Sequence, residues 1–325
     1  MIFGSVHDIV TDDLFLNLHG FHGRLRVLLK LEGLNPAGSV KLKTAVALVE
    51  DLESRGLLRE GSRVIESTSG NLGVALAMVC AAKRYRLTVV SDPNANAQSL
   101  RLMQVLGAEL VIVRERDANG GFLQTRIRLI EQRLAEDPEL IWLDQYANPA
   151  SVATHAARTA HSIRTSVGDP DYLFVGTGTA GTLMGCASYF RPPSRTRVVA
   201  VDSVGSVTFG GPAGPRHIPG LGSSREPRLF DAHQVHRTVA VPEEDAVRMC
   251  RRLAADYGLL VGGSTGTVLA GVERLAGELE DHSTIVVVSP DFGDRYLDTV
   301  YDDDWADLRL PDWRGEPARQ APAHT

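Results

Sequence analysis

Short apolar runs rich in β-branched residues alternate along the chain with longer segments whose apolar residues recur every three or four positions. The longer segments, such as NLGVALAMVCAAKRY and PEEDAVRMCRRLAADYG, are typical of helices. The short runs are nearly all apolar, as in strands that are buried on both faces of a parallel sheet. They are SRVIES, RLTVVSD, ELVIVRE, LIWLDQ, DYLFVG, TRVVAVDS and STIVVVSP. This alternation predicts an α/β fold with helices on both faces of open sheets.

The strand–helix series pauses at the helical segment NPASVATHAARTAHSIRTSVGDP and then starts again. Two series predict two doubly wound lobes, which suits a chain of 325 residues because one core seldom grows to this size. Between Val204 and Gln234 a segment rich in Gly, Pro and Ser is longer than a simple connection, and such loops are often functional. The last residues, 314–325, predict a disordered tail.

Composition and charge remove several classes of function. A net charge of −6 offers no basic surface, so we expect no nucleic-acid partner. The sequence has no run of about 18 apolar residues, and its N-terminal stretch lacks the layout of a signal peptide, so we expect neither a membrane span nor export. Cys80, Cys186 and Cys250 lie far apart without metal-ligand spacing. Buried free thiols in a cytoplasmic protein without a metal site are the simplest interpretation.

Ligands of open α/β sheets lie beyond the carboxyl ends of the strands, so the strand-to-helix loops are the candidate sites. One loop, VGTGTAGTLMG, satisfies the dinucleotide pattern G-x-G-x-x-G, and Asp202 ends the following strand. The same loop contains three threonines, and its amides and hydroxyls could equally wrap a single phosphate group. A dinucleotide, another phosphate and a purely structural turn all remain open for this loop.

Two further loops carry clusters of small polar residues. The loop ESTSGNLG suits a substrate carboxylate held by hydroxyls and amides, although a cluster of helix N-caps is the alternative. The loop VGGSTG places Ser264 at a helix start, either as an N-cap or as a hydroxyl that donates to a ring nitrogen. In the stretch LNPAGSVKLKTA, Lys41 lies in the first turn of a predicted helix, where the helix dipole favours the neutral amine. A phosphate loop, a carboxylate loop and such a lysine together indicate pyridoxal phosphate acting on an amino acid.

Five motifs, NPAGSVK, TSGNLGVALA, QYANP, GTGTAGTLMG and GGSTG, occur in the order found in the cysteine synthase/cystathionine β-synthase family of fold type II pyridoxal phosphate enzymes, which the chain resembles over about residues 20–300. The motifs GGFLQTRI, VDSVGSVTFG, IPGLGSSREP and PDFGDRYLDTVYDDDW are similar to those of one branch of the family. The resemblance implies a homodimer that eliminates phosphate from O-phospho-L-serine and adds the amine of L-glutamate. The product, N-(2-amino-2-carboxyethyl)-L-glutamate, leads to 2,3-diaminopropionate for siderophores or peptide antibiotics.

The resemblance also assigns residues and lobes. Lys41 matches the lysine that carries the cofactor, Ser264 matches the hydroxyl at the pyridine nitrogen, and Asn71 matches the amide that reaches the ring hydroxyl. It implies that residues 45–148 form a smaller, mobile lobe, and that 1–44 with 149–313 form the larger one. The phosphate cup of the family corresponds to Gly178, Thr179, Ala180, Gly181 and Thr182. Its carboxylate site corresponds to Thr68, Ser69, Gly70, Asn71 and Gln145.

The sequence departs from the family at four positions in three motifs: Leu42 and Lys43 replace an Asp-Arg pair after the lysine, Ala180 replaces a glycine, and Phe292 replaces a smaller or polar residue. A dicarboxylate acceptor would need cations, and Arg126 and Arg225 are the candidates because a guanidinium pairs with a carboxylate through two bonds. Solvated arginines are the alternative for both. The competing functions are addition of sulfide to O-phosphoserine or O-acetylserine to form cysteine, deamination of serine or threonine, a nicotinamide dehydrogenase, and a non-catalytic scaffold.

Overall fold

The structure is a computed structural model that describes residues 2–118 and 120–315. Its strands form two sheets, one of six strands in the order β1-β2-β10-β7-β8-β9 and one of four strands in the order β5-β4-β3-β6. The six are β1 Phe15–Asn17, β2 Arg26–Leu31, β7 Tyr172–Gly176, β8 Arg197–Ser203, β9 Arg237–Val241 and β10 Thr284–Ser289, and the four are β3 Arg63–Ser67, β4 Arg86–Ser91, β5 Glu109–Ile112 and β6 Leu140–Trp142. All neighbours are parallel except β1 and β2.

Ten α-helices connect and cover these strands within the described residues. A π-helix, His155–Ala160, joins the fifth helix to the sixth, so the chain from residue 150 to residue 167 is continuously helical. The helices are α1 Lys41–Ser54, α2 Asn71–Lys83, α3 Ala97–Val105, α4 Leu123–Glu136, α5 Ala150–Thr154, α6 His161–Val167, α7 Gly181–Tyr189, α8 Glu243–Tyr257, α9 Gly263–Leu275 and α10 Asp303–Arg309.

Alternate residues of the central strands pack into opposite helical layers. In β7, Phe174 belongs to a core that includes residues of α8 and α9, whereas Leu173 and Val175 belong to a core that includes residues of α7. The smaller sheet repeats this arrangement, since Val64 and Ile65 of β3 lie in two different cores. Side chains of a strand point alternately to its two faces, so the central strands are mostly apolar on both faces. The predicted α/β fold with two doubly wound sheets is confirmed.

The apolar pattern did not predict β1, β2, β9 or α10. In β2, the run Arg26–Leu31 contains Lys30, a charged residue that is nevertheless buried. Strand β9 lies at the edge of its sheet, and Thr238 and Ala240 on one face are exposed. The smaller sheet lies within residues 45–148, although α1 crosses that boundary, and the mobility of this lobe stays a prediction. Most of the predicted tail, residues 316–325, lies outside the described residues.

No helix in the described part of the chain is long and apolar enough to cross a membrane.

Candidate active site

The loop between β7 and α7 lines one wall of a cavity with about 480 Å³ of empty space. Ala180 immediately precedes α7 with a φ of +67°, a left-handed conformation that glycine adopts more easily. The first amides of α7 have no partner within the helix and are available to an anion. The predicted cup residues Gly178, Thr179, Ala180, Gly181 and Thr182 all line this cavity.

Two glycines of the cup are required by close packing. A Cβ atom on Gly178 would lie 2.9 Å from the carbonyl oxygen of Gly220, and one on Gly181 would lie 2.0 Å from Oγ of Ser151. Gly220 belongs to the long segment between β8 and β9, whose length exceeds what a connection requires. In the structure this segment covers the cup, because Gly220 and Leu221 line the same cavity.

Lys41 is the first residue of α1 and lines the cavity together with the phosphate cup. Burial lowers the pKa of its amine from 10.5 to about 8, while the charge of Asp291 acts in the opposite direction. The turn before Lys41 is held by Asn35, whose Nδ2 donates to the carbonyl oxygens of Glu32 and Ser39 at 2.9 Å. The turn therefore places an amine that is easily deprotonated beside an anion-binding loop.

Lys43 has a different environment, although it follows Lys41 by only two positions. Its amine lies 2.6 Å from Oε2 of Glu32 and 2.6 Å from Oδ1 of Asp12. It also donates to Oγ1 of Thr159 at 3.3 Å. The side chain is fully buried, so Lys43 is committed to a buried ion pair and does not reach the cavity.

The predicted carboxylate loop connects β3 to α2, and α2 begins at Asn71. Oγ1 of Thr68 accepts from the N–H of Gly70 at 3.3 Å, and Ser69 and Gly70 are only partly buried. Gln145 is buried and donates through Nε2 to the carbonyl oxygen of Ser67 at 2.8 Å. The structure therefore places Gln145 in contact with the predicted carboxylate loop, where the resemblance expects it to help to hold the substrate carboxylate.

Asn71 connects this loop to the cavity. Its Nδ2 donates to Oδ2 of Asp291 at 2.7 Å, and Asp291 follows Pro290, which lines the cavity. Ser264, in the first turn of α9, also lines the cavity and is buried. The N-cap of α9 is Gly262, so the interpretation of Ser264 as an N-cap is wrong, and its hydroxyl has no capping role.

The two predicted acceptor arginines are placed differently. Arg126 is buried in α4, and its Nη1 lies 3.4 Å from Oδ2 of Asp92. Arg225 is only partly buried and lines a second cavity of about 370 Å³, which Tyr146 and Arg228 also line. Tyr146 lies near Arg126 as well, since the arginine charge opposes the rise of the tyrosine pKa that burial causes. Tyr146 is therefore near both Arg225 and Arg126.

Sequence reasoning missed His155, which lies in the π-helix. Its Nε2 lies 3.1 Å from Oγ1 of Thr44 and 3.1 Å from Oγ1 of Thr182, and its Nδ1 lies 3.0 Å from Oγ1 of Thr159. Burial, followed by the charge of Lys43, holds the pKa of the imidazole well below 6.5, so the ring is neutral. A histidine on a helical segment gave no signal that distinguished it from an ordinary core residue.

Asp291 and Arg295 were also missed, although both lie in PDFGDRY, a motif noted for Phe292 alone. Nη1 of Arg295 donates to Oδ1 of Asn71 at 2.6 Å, and its Nη2 donates to the carbonyl oxygen of Ala37 at 2.8 Å. Asn71 and Arg295 are 224 positions apart, so only the tertiary structure relates them.

These residues fit pyridoxal phosphate better than a dinucleotide. The cup offers amides for one phosphate group, Lys41 offers an amine for an aldehyde, and Ser264 offers a hydroxyl in the same cavity. The dinucleotide pattern also required Asp202 to bind a ribose. Asp202 is buried, and its Oδ1 accepts from the N–H of Ser203 at 2.7 Å, so the ribose contact is not available.

Comparison with known proteins agrees with this assignment. The family described as "Pyridoxal-phosphate dependent enzyme" matches residues 15–291. The chain is 41% identical over 284 residues to N-(2-amino-2-carboxyethyl)-L-glutamate synthase of Ralstonia nicotianae, a match that covers 87% of this chain and 84% of that one. It is 40% identical over 318 residues to the protein of the same name from Cupriavidus metallidurans, with 94% and 92% covered.

Solved structures show the same fold. O-ureido-L-serine synthase has a TM-score of 0.85 and 31% identity, covering 93% of this chain and 96% of that one. The O-acetylserine dependent cystathionine beta-synthase of Helicobacter pylori has a TM-score of 0.85 and 26% identity, covering 92% and 98%. The chain belongs to the family of pyridoxal-phosphate dependent enzymes and has its type II fold.

Proposed function

We propose that the enzyme replaces the phosphate of O-phospho-L-serine with the amine of L-glutamate, giving N-(2-amino-2-carboxyethyl)-L-glutamate and inorganic phosphate. Two relatives that carry the name of this synthase are about 40% identical over most of the chain, and this similarity supports the choice of substrates. The observation that carries the chemistry is one cavity lined by Lys41, the phosphate cup and Ser264 together.

Each group in the cavity and in the neighbouring carboxylate loop has a role in this proposal. Lys41 would attach the cofactor, and the amides of Gly178–Thr182 would hold its phosphate. Bound pyridoxal phosphate supplies an electron-withdrawing ring that acidifies the α-carbon of the substrate. Thr68, Ser69, Gly70 and Gln145 would hold the substrate carboxylate, and Asn71 would contact the ring hydroxyl.

Lys41 then serves as the general base. Its neutral amine would remove the α-proton of the substrate, and the C–O bond at the β-carbon would break, with phosphate leaving with the bonding electron pair. The free amine of glutamate would form a C–N bond to that carbon, and the ammonium of Lys41 would return its proton to the α-carbon. A pKa of about 8 suits both directions of this transfer near neutral pH.

Ser264 bears on the type of reaction. A hydroxyl at the pyridine nitrogen is a neutral partner, so it does not place a full positive charge on the ring. Less electron withdrawal favours elimination and replacement at the β-carbon over transamination. Ser264 therefore supports β-replacement.

The second cavity provides a place for a dicarboxylate acceptor. Arg225 and Arg228 line it, and both lie close enough to Asp144 for their charges to oppose the rise of its pKa that burial causes. Arg126 would contribute its positive charge to this cavity through Tyr146, which lines the cavity and lies near Arg126. Sulfide needs no site of this size or charge, so the alternative function, a cysteine synthase using O-phosphoserine or O-acetylserine, leaves these arginines without a role.

The wider setting is part of the same proposal. The product would lead to 2,3-diaminopropionate for a siderophore or a peptide antibiotic. We place the enzyme in the cytoplasm, since Cys80, Cys186 and Cys250 are all free and buried, and expect it to act as a homodimer. Sedimentation of the purified enzyme tests the dimer, whose mass is about 70 kDa because one chain has a mass of 35.1 kDa.

Product identification tests the proposal directly. The purified enzyme is incubated with O-phospho-L-serine and either L-glutamate or sulfide, and the products are identified by mass spectrometry. We expect N-(2-amino-2-carboxyethyl)-L-glutamate and stoichiometric phosphate with glutamate. Cysteine as the sole product, with no adduct from glutamate, would assign the alternative function. Borohydride reduction followed by peptide mapping tests the attachment site, which we expect at Lys41 and which an adduct at Lys43 would contradict.

A further inference from the structure

The side-chain amide of Asn71 is held at both ends by residues of one short motif near the end of the chain. Its Nδ2 donates to Oδ2 of Asp291 at 2.7 Å, and its Oδ1 accepts from Nη1 of Arg295 at 2.6 Å. Resting on the proposed function, we propose that Asp291 and Arg295 are positioning residues that fix the orientation of the Asn71 amide, so that it presents an N–H to the ring oxygen of the cofactor.

The chemistry of the partners allows only this orientation of the amide. A guanidinium has donors and no acceptor, so the amide atom that faces Arg295 must be the carbonyl oxygen. The nitrogen then faces Asp291, which offers acceptor oxygens. Tyr296 reinforces this, because its hydroxyl donates to the same Oδ2 of Asp291 and keeps that oxygen in place.

A donor remains for the cofactor in this arrangement. The amide nitrogen carries two hydrogens, and one is used by Asp291. Its other contact, to the hydroxyl of Tyr296, is 3.5 Å long, at the limit of a hydrogen bond. If the amide were rotated by 180°, its carbonyl oxygen would face the carboxylate of Asp291 and its nitrogen would face the guanidinium of Arg295, so both of these hydrogen bonds would be lost.

The same arginine reaches the turn that carries Lys41. Nη2 of Arg295 donates to the carbonyl oxygen of Ala37 at 2.8 Å, and a Cβ atom on Gly38 would lie 2.7 Å from Nη2. Gly38 also has a φ of +68°, so both space and conformation favour glycine there. The carbonyl oxygen of Arg295 accepts from Nδ2 of Asn96, the N-cap of α3. Arg295 therefore ties the start of α2, the start of α3 and the turn before α1 to one point.

Asp291 contributes charge as well as geometry. Its carboxylate is buried, lies at the start of the loop after β10, and acts on the charge of Lys41. A Cβ atom on Gly262 would lie 2.0 Å from Oδ1 of Asp291, so that glycine leaves room for the carboxylate. Asn71 is proposed to contact the ring oxygen and Lys41 the aldehyde carbon, and both are thus influenced by one cluster of residues. We name this cluster the Asn71 clamp: Asn71, Asp291, Arg295 and Tyr296.

The test compares four enzymes: wild type, R295M, R295K and the control R55M. Arg55 is an exposed arginine whose partner is Asp51 on the surface of α1, so it matches the charge change without touching the clamp. We measure the dissociation constant of pyridoxal phosphate by fluorescence, the visible absorption maximum of the bound cofactor, and the Tm. R295M should weaken cofactor binding by about tenfold or more and move the absorption maximum, since the amide is free to rotate. R295K should restore part of both, and R55M should match wild type.

A double-mutant cycle separates positioning from general support of the fold. If Arg295 acts through Asn71, the effect of R295M on cofactor binding and on the spectrum should largely disappear in an N71A background. Effects that add fully in the double mutant, or an R295M enzyme with wild-type binding and spectrum, would overturn the proposal. If R295M folds poorly, the cofactor dissociation constant and absorption maximum of R295K are compared with those of wild type, and this comparison tests the proposal instead. A wild-type enzyme without a Lys41 adduct would instead defeat the proposed function, so the two failures are distinguishable.

Discussion

Lys41 and Lys43 show how strongly a residue's chemistry depends on its immediate partners. Both belong to α1, yet one amine lines a cavity and the other is enclosed by Glu32 and Asp12. The amine of Lys43 lies 2.6 Å from a carboxylate oxygen of each of these residues, so it is committed to a buried ion pair. The amine of Lys41 has only the more distant charge of Asp291 against the cost of burial, and its pKa falls to about 8. Of the two, Lys41 is the one that can serve as a nucleophile near neutral pH.

This difference leads to a prediction for the pH dependence of cofactor capture. The neutral amine attacks the aldehyde, so the rate should rise as pH rises through the pKa of Lys41. With a pKa of about 8, about one amine in ten is neutral at pH 7, compared with roughly one in three thousand for an ordinary lysine. We expect the rate at which apoenzyme captures pyridoxal phosphate, trapped by borohydride, to rise about tenfold per pH unit below pH 8 and to level off above it.

Two outcomes would contradict the assignment. A rate that continues to rise beyond pH 10 would mean that the reacting amine has an ordinary pKa. Capture of similar speed by K41A would mean that another lysine reacts. The K41A enzyme should remain folded, since its loss removes no ion pair, and its Tm provides the check.

At the level of elements, one buried histidine joins three helical segments. His155 of the π-helix bonds to Thr44 of α1, three residues after Lys41, and to Thr182 of α7, which lines the phosphate cup. His155 is the first residue of the π-helix, and a Cβ atom on Gly185 of α7 would lie 2.5 Å from Cβ of His155. The helices that present the lysine and the phosphate cup are therefore fixed to each other through one neutral ring.

We expect H155A to loosen the phosphate cup. Its loss leaves the hydroxyl of Thr182 without this partner and opens a space between α1 and α7, at a cost of about 1–3 kcal/mol. The dissociation constant of pyridoxal phosphate should rise by about tenfold or more, measured by fluorescence. The effect should be the same from pH 7 to 9, because the pKa of His155 is already well below this range.

H161A is the matched control for this prediction. His161 begins α6 in the same helical stretch but is exposed, where its Nδ1 contacts the hydroxyl of Tyr189. It should bind the cofactor like wild type. Unchanged binding in H155A, or equal losses in both variants, would show that His155 does not organise the cup.

At the level of the whole molecule, the sequence predicts what is local and leaves out what is brought together by folding. Apolar runs predicted seven of the ten strands in the described part of the chain, and a glycine-rich loop pointed to the candidate phosphate cup, because both signals lie within a few consecutive residues. Strand β2 was not predicted, because the charged Lys30 interrupts its apolar pattern. A buried charge is tolerated only with the partners that the fold supplies. Asp291 and Arg295 hold Asn71 from more than 200 positions away, and His155 joins Thr44 to Thr182. No spacing in the sequence encodes these contacts.

The second cavity depends on the whole molecule, because the residues that line it lie in or near both sheets. Leu123 and Trp142 belong to α4 and β6 on the side of the smaller sheet, while Arg225 and Arg228 belong to the long segment between β8 and β9. An acceptor bound there would contact residues that belong to, or lie near, both sheets. Charge recognition at this cavity would then depend on how these two parts of the chain pack together.

We therefore expect R225Q to impair the acceptor step alone. The KM for L-glutamate should rise about tenfold or more, because a guanidinium–carboxylate contact is lost, while cofactor binding at the other cavity and phosphate release from O-phospho-L-serine without acceptor stay unchanged. The matched control is E226Q, which removes an opposite charge from the same cavity wall and should leave this KM unchanged or lower it. A KM that rises equally in both variants would point to a packing defect, and an unchanged KM in R225Q would show that glutamate is bound elsewhere.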